Sequence, residues 1–219
     1  MCYFHILISL TFWGKYGNIN MRRKNMSPKE EFLDIFYDNI ERDGSEKLLE
    51  WLERSDFFTA PASTKLHSSY EGGLCEHSVK VYKRFVRLLE MEYGKDWQEK
   101  VSPESVAIIA LLHDVCKVGY YVTEMRNVKE NGEWVQKPFY KIDDSLPYGH
   151  GEKSVYIISG FMKLTREEAM AINWHMNGYD LRVKSGSNAI SDAYYQYPIA
   201  VLLADADLTA TYLDEKIEK

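Results

Sequence analysis

A chain of 219 residues, 45% hydrophobic and 27% charged, has room for one sizeable core and has neither a disordered nor a fibrous composition. Its formal net charge of -6 and isoelectric point near 5.6 argue against a surface built to neutralise long nucleic acid, although a small phosphorylated ligand can still meet a local positive site. Cys2, Cys75 and Cys116 show no C-x-x-C pairing, which argues against a disulfide framework or a thiolate zinc site and for a reducing, cytoplasmic compartment.

At the start of the chain, "CYFHILISLTFW" is apolar but about a dozen residues long, too short to span a bilayer, and it lacks the basic leader of a secretory signal. Met21 and Met26 follow in a polar stretch. An upstream start is suspected, with residues 1–26 a poorly ordered or appended segment and a membrane anchor the less favoured alternative. Residues 27–219 are expected to form a single domain.

Ser27, Pro28 and Glu30 make a capping box with proline at the first helical position, and Phe32, Leu33, Phe36 and Ile40 supply an apolar stripe. This predicts a first helix. Leu48, Leu49 and Leu52 predict a second. After the loop "TAPASTKLHSSYEGG", Val79, Tyr82, Phe85, Val86 and Leu89 predict a third from about Leu74 to Glu92. Ser102 with Pro103 opens a fourth, running through "SVAIIALLHDV" and ending before Gly119.

The next stretch, about 120–142, has two β-prone runs either side of Asn131-Gly132, the signature of a hairpin turn. Helices then resume from Gly151 to Met162, from the Thr165/Glu168 capping box to Met176, and from about Pro198 to Ile217. The expected fold is mainly α with a small inserted β-hairpin.

Four of the six histidines fall near helix ends. His77 lies early in the third helix, His113 and Asp114 close the fourth, His150 opens the next after "PYG", and His175 ends "AMAINWH". Asp205 and Asp207 lie in an apolar final helix. Residues two apart on a helix are about 200° apart, so only one can face a shared centre. Asp207 is preferred, with Asp205 the alternative. Imidazoles and carboxylates together hold divalent metals while leaving open positions for water and substrate. Burying so many ionisable groups unpaired would cost several kcal/mol each, roughly, and a shared metal removes that penalty.

The order His77, His113-Asp114, Asp207 (or Asp205), with "YEGGLCEHS" and "LLHDVCK", resembles the HD-domain superfamily of metal-dependent phosphohydrolases over about Leu66 to Tyr212. Within it the chain is similar to bacterial and phage proteins described simply as hydrolases, and to the HD module of bacterial 3′ to 5′ exoribonucleases. The resemblance implies an HD-type helical bundle. It implies a first metal on His77, His113, Asp114 and the C-terminal aspartate, and a second on His150 and His175 with Asp114 bridging. Two-metal members often have a His-His pair where this chain has Trp174-His175.

The implied cofactors are one or two divalent transition metals, Mn, Fe, Zn or Ni. The implied activity is metal-dependent hydrolysis of a nucleotide or short phosphoester through metal-activated water. Lys117 and Asp114 are the expected catalytic pair, and Lys117 and Lys153 the expected substrate contacts. Arg126, Tyr148 and Arg182 are weaker candidates. Glu76 is a candidate for orienting a ligand, and Gly72 and Gly73 for close backbone approach. His67 is read as a loop residue, His5 is given no role, and Cys75 and Cys116 are read as packing. The expected partner is a small phosphorylated substrate, with no membrane, and a homo-oligomer is left open. The alternatives are an exoribonuclease-like phosphodiesterase, a non-catalytic metal-bound nucleotide sensor, and iron-dependent oxygenation.

Overall fold

The computed structural model describes residues 26–215, so the expectation for 1–26 lies outside the described residues except at Met26. Helix α1 (Pro28–Asn39) starts where the capping box predicts: the Glu30 amide donates to Ser27 Oγ at 3.3 Å and the Ser27 amide to Glu30 Oε2 at 2.7 Å. Its Phe32, Ile35 and Phe36 are buried. Helix α2 (Ser45–Arg54) follows and buries Leu48, Leu49 and Leu52. The long helix α3 (Gly73–Tyr93) is entered through Gly72 at φ +80°. A Cβ on Gly73 would lie 2.0 Å from the Ser68 carbonyl oxygen, so this turn accepts no side chain and the preceding loop packs directly on the helix.

Helix α4 (Pro103–Leu112) is buried continuously from Val106 to Leu112. A helix that is apolar all round belongs in the centre of a bundle, and α4 packs against α1, α3 and α6. It stops at Leu112, three residues short of the predicted stretch, and a tight turn at Val115–Lys117 replaces its last part. His113 keeps helical angles (φ −55°, ψ −35°), and Asp114 is the first residue to leave them (φ −105°, ψ 16°).

Strands β1 (Tyr121–Glu130) and β2 (Glu133–Ile142) pair antiparallel, Tyr121 opposite Ile142 and Glu130 opposite Glu133. Asn131 and Gly132 both have positive φ, 51° and 92°, as a two-residue turn that matches strand twist requires. The remaining helices are α5 (His150–Ser159), α6 (Arg166–Trp174), the short α7 (Leu181–Lys184), α8 (Ala189–Gln196) and α9 (Ile199–Thr209). The fold is therefore mainly α with one small hairpin.

Helices α7 and α8 have no counterpart among the predicted elements. The first is a single turn started by Asp180, whose Oδ1 accepts the Arg182 amide at 2.7 Å. The final helix also differs from the prediction of a run to Ile217: α9 gives way at Ala210–Asp214 to a wider π turn, and Glu215 is extended. Thr209 Oγ1 donates to the carbonyls of Asp205 (2.7 Å) and Ala206 (3.1 Å), a back-bond that loosens the helical ladder where the widening begins. Helix α9 packs on α3 and α6, and α5 packs on α6 and on the Val115–Lys117 turn, so the ends of α3, α4, α5, α6 and α9 converge. Among the described residues no helix is long and apolar enough to cross a membrane.

Candidate metal centre

The convergence brings histidines from four helices to one place, and two of them are presented by the same device. His113 and His175 each follow the last residue of a helix, α4 and α6, and each directs Nδ1 to the carbonyl three residues back: Ala110 at 2.8 Å and Ile172 at 2.6 Å. Helix ends leave such carbonyls without partners. With Nδ1–H committed there, Nε2 is the lone-pair nitrogen and faces inward, as metal-binding imidazoles are arranged.

Asp114 is the hub, buried to 2% exposure. Its two oxygens look in different directions. Oδ2 lies 3.5 Å from His77 Nε2, 3.5 Å from His113 Nε2 and 2.6 Å from Lys117 Nζ. Oδ1 lies 2.7 Å from His150 Nε2 and 3.5 Å from His175 Nε2. Asp207, from α9, places Oδ1 3.2 Å from His77 Nε2. Asp205 is exposed and takes no part, so the helix turns only Asp207 toward the cluster.

His77 is oriented from behind by Glu215, whose Oε1 lies 2.7 Å from His77 Nδ1 while Oε2 accepts from Ser68 Oγ at 2.7 Å. Burial alone would lower the His77 pKa, but Asp207 and Glu215 outweigh it and raise it to about 10. Asp114 is held well below the usual carboxylate range despite burial, first by Lys117 and then by His113. Lys117, only 7% exposed, is held above its ordinary value because Asp114 outweighs its burial.

Two features fit a divalent cation. His175 Nε2 is buried and makes no hydrogen bond, an orphan that a coordinate bond satisfies. Asp114, Asp207 and Glu215 bring three carboxylates together with Lys117 and the imidazoles in a largely buried cluster, a donor set rich in acidic groups that a cation suits. The ligand atoms of His77, His113 and Asp114 lie within 4.8 Å of one another, as do those of His113, His175 and Asp207. The chemistry of the set, imidazole and carboxylate without thiolate, suits Mn, Fe, Zn or Ni. Glu215→Gln keeps the size of the group that holds His77 and removes its charge; metal affinity measured by calorimetry is expected to fall about 10- to 100-fold.

The centre opens into a cleft of about 400 Å³ whose lining includes Asp114, Lys117, His150 and His175. Tyr120, Tyr121, Tyr179 and Tyr212 also line it, and the hydroxyls of the last two lie 3.1 Å apart.

The other expected contacts sit elsewhere. Lys153 is outside the cleft lining: its ammonium lies 2.6 Å from Asp144 Oδ1 and 5.0 Å from the centre of the Tyr120 ring. Arg182 covers the Trp174 ring at 3.8 Å and donates to Asp180, Glu152 and Asn173, so the indole that precedes His175 is packed under a guanidinium. Tyr148 stacks on Tyr156, and Arg126 lies on the hairpin beside Glu124. Glu76 accepts from Tyr70 and pairs with Lys80; the carboxylate that holds the Nδ1 side of His77 is Glu215. Burial, and then the charge of Asp114, pushes the Cys116 thiol up to about 12, and burial pushes Cys75 up to about 12, so neither is a nucleophile near neutrality.

Two residues of this neighbourhood escape the sequence reading. Glu215 stands on extended backbone just past the π turn, so helical spacing from Asp207 does not find it, and it is hidden in the charged tail "DEKIEK". His67 lines the cleft, with its ring 5.1 Å from that of His77. Nothing in its loop sequence marks it.

The family described as HD domain matches residues 74–211. Among curated proteins the chain is similar to dihydroneopterin 2′,3′-cyclic phosphate phosphodiesterase of Methanocaldococcus jannaschii, 34% identical over 87 residues that cover 38% of this chain and 31% of that one. The match thus spans about a third of the relative's length. No solved structure matches.

Proposed function

The chain belongs to the HD domain family, and from that premise we propose that it is a metal-dependent phosphohydrolase acting on a nucleotide or another short phosphoester. The observation that carries this reading is the division of Asp114, one oxygen toward His77 and His113 and the other toward His150 and His175. That arrangement suits a carboxylate shared by two cations, with His77, His113, Asp114 and Asp207 as the first ligand set and His150 and His175 as the additional ligands of the second. One or two divalent transition metals held there would supply hydroxide near neutral pH by lowering the pKa of water, and would polarise the phosphoryl group.

The remaining work falls to the chain itself. Lys117 sits on the cleft lining with its ammonium fixed by Asp114, where a positive charge stabilises the charge that builds on phosphoryl oxygens. Its partner holds it in place before substrate arrives, so little reorganisation is required. The tyrosines of the cleft offer flat apolar faces to an aromatic ring, which supports a nucleoside or similar heterocycle as the organic part. The acidic balance of the chain supports a small substrate over long RNA. The name of the archaeal relative supports a small phosphodiester among the possibilities. Cys75 and Cys116, buried and unpaired, support a cytoplasmic setting.

The test is a turnover screen of protein loaded separately with Mn, Fe, Zn and Ni. It would cover nucleoside mono-, di- and triphosphates, cyclic nucleotides and short oligoribonucleotides. Release of phosphate or opening of a phosphodiester with at least one metal is expected. No hydrolysis of any of them by protein that carries the metal would sink the proposal.

A further inference from the structure

The loop before α3 is fixed by more bonds than a surface connection needs. The Ser63 hydroxyl donates to the His67 carbonyl (2.8 Å) and accepts from the Leu66 amide (2.9 Å), while the Ala62 amide donates to the Ser68 carbonyl (3.0 Å). Tyr121, at the base of the hairpin, donates its hydroxyl to the Ala62 carbonyl at 3.2 Å. Ser68 is buried at φ +45°, a conformation that a non-glycine residue keeps only when its surroundings impose it. They do: its hydroxyl is held by Glu215, and its carbonyl lies against Gly73. Glu215 in turn holds His77. The loop is therefore tied to the centre through one carboxylate.

What this construction presents is His67. Its ring faces the cleft beside His77, and neither ring nitrogen is hydrogen-bonded to a described residue. Its position is also informative. Asp114 and Lys117 are buried parts of the cleft lining, whereas His67 is half-buried and its neighbour Leu66, also on the lining, is exposed. A phosphoryl group seated against Lys117 would direct its organic part toward the more exposed lining, on the side of His67.

Resting on the phosphohydrolase reading above, we propose that His67 is a catalytic residue that contacts the substrate and donates a hydrogen bond to the leaving oxygen of the phosphoester. In the reaction the bond from phosphorus to that oxygen breaks and a bond from phosphorus to the oxygen of water forms. The alcohol finally carries a proton that water has given up. The hydrogen bond from His67 stabilises the negative charge that gathers on the departing oxygen before that proton arrives. Ser68 and Glu215 are positioning residues, acting through the loop and through His77.

The test compares two esters of the phosphate class that the wild type cleaves, one releasing nitrophenolate and one releasing a nucleoside alcohol. A good leaving group needs no stabilisation and a poor one does. His67→Ala is expected to lower kcat/KM about 100-fold for the nucleoside ester and only a few-fold for the nitrophenyl ester, with His67→Gln, which keeps a donor, recovering part of the loss. Titration of His67→Ala with Mn alone is expected to give the wild-type stoichiometry and affinity. Equal losses on both esters, no loss on either, or loss of Mn binding would overturn the role given to His67 while leaving hydrolysis by the wild type intact. A wild-type protein that binds Mn and cleaves neither ester would instead overturn the phosphohydrolase reading, and this inference with it.

Discussion

Asp114→Asn is expected to lower kcat/KM by at least about 1,000-fold and to remove the second equivalent of bound metal. The substitution keeps the shape of the side chain and deletes the charge that Lys117, His113 and His150 all face. One of three carboxylates is lost, so the cluster carries one negative charge fewer. The amide also presents a donor where a carboxylate presents only acceptors. Loss of one preorganised charge-stabilising group typically costs about 100- to 1,000-fold in rate, and Asp114 touches both ligand groups and Lys117, so its effect belongs at the upper end or beyond. Circular dichroism of the variant checks that the fold persists. A variant with normal turnover would remove Asp114 from the chemistry.

The second large effect concerns stability and lies away from the cleft. Arg42, between α1 and α2, grips Glu168 with both terminal nitrogens, at 2.6 and 2.9 Å, and also reaches Glu104 at 3.0 Å. Glu168 is fully buried and takes further hydrogen bonds from Ser105 and the Thr165 amide. Arg42→Met leaves that carboxylate without its cation, and breaking a buried pair from one side costs about 3–5 kcal/mol. Burial would raise the Glu168 pKa, but the bonds from Arg42, then Ser105, hold it below the ordinary value of 4.5. A depressed folded-state pKa gives stability that is complete above the unfolded value and is lost as pH falls through the folded one. The gap between wild type and Arg42→Met is therefore expected to be largest near neutrality and to shrink below about pH 4.5. Denaturant melts of both proteins at pH 7 and pH 4 check the size and the sign. A gap that widens in acid would contradict the assignment.

The histidines and Asp114 are legible in the sequence because they fall where helices begin and end, and helix boundaries carry chemical signals. Pro103 starts α4, "PYG" precedes α5, and the Thr165/Glu168 box starts α6. The choice between Asp205 and Asp207 depends on which face of α9 meets α3, a tertiary fact. His67 and Glu215 were hidden for a related reason. Both stand on irregular backbone whose geometry is set by partners far along the chain: the Ser68–Glu215 bond joins positions 147 residues apart. Lys153 shows how a neighbour redirects a side chain: about one turn of helix after His150 places it nearby, and Asp144 from the hairpin's exit segment engages its ammonium. The stop of α4 at Leu112 and the widening after Thr209 are likewise local departures from periodicity, and both lie beside the cluster.

The central claim is that this cluster is a metal centre, and equilibrium metal binding tests it most directly. Chelator-treated wild-type protein, titrated anaerobically with Mn, Fe, Zn and Ni and followed by calorimetry and elemental analysis, is expected to take up one to two equivalents of at least one of these ions. Uptake should fall in His113→Ala and Asp114→Asn. Absence of stoichiometric uptake of all four ions by folded wild-type protein, or uptake unchanged in both variants, would contradict the account.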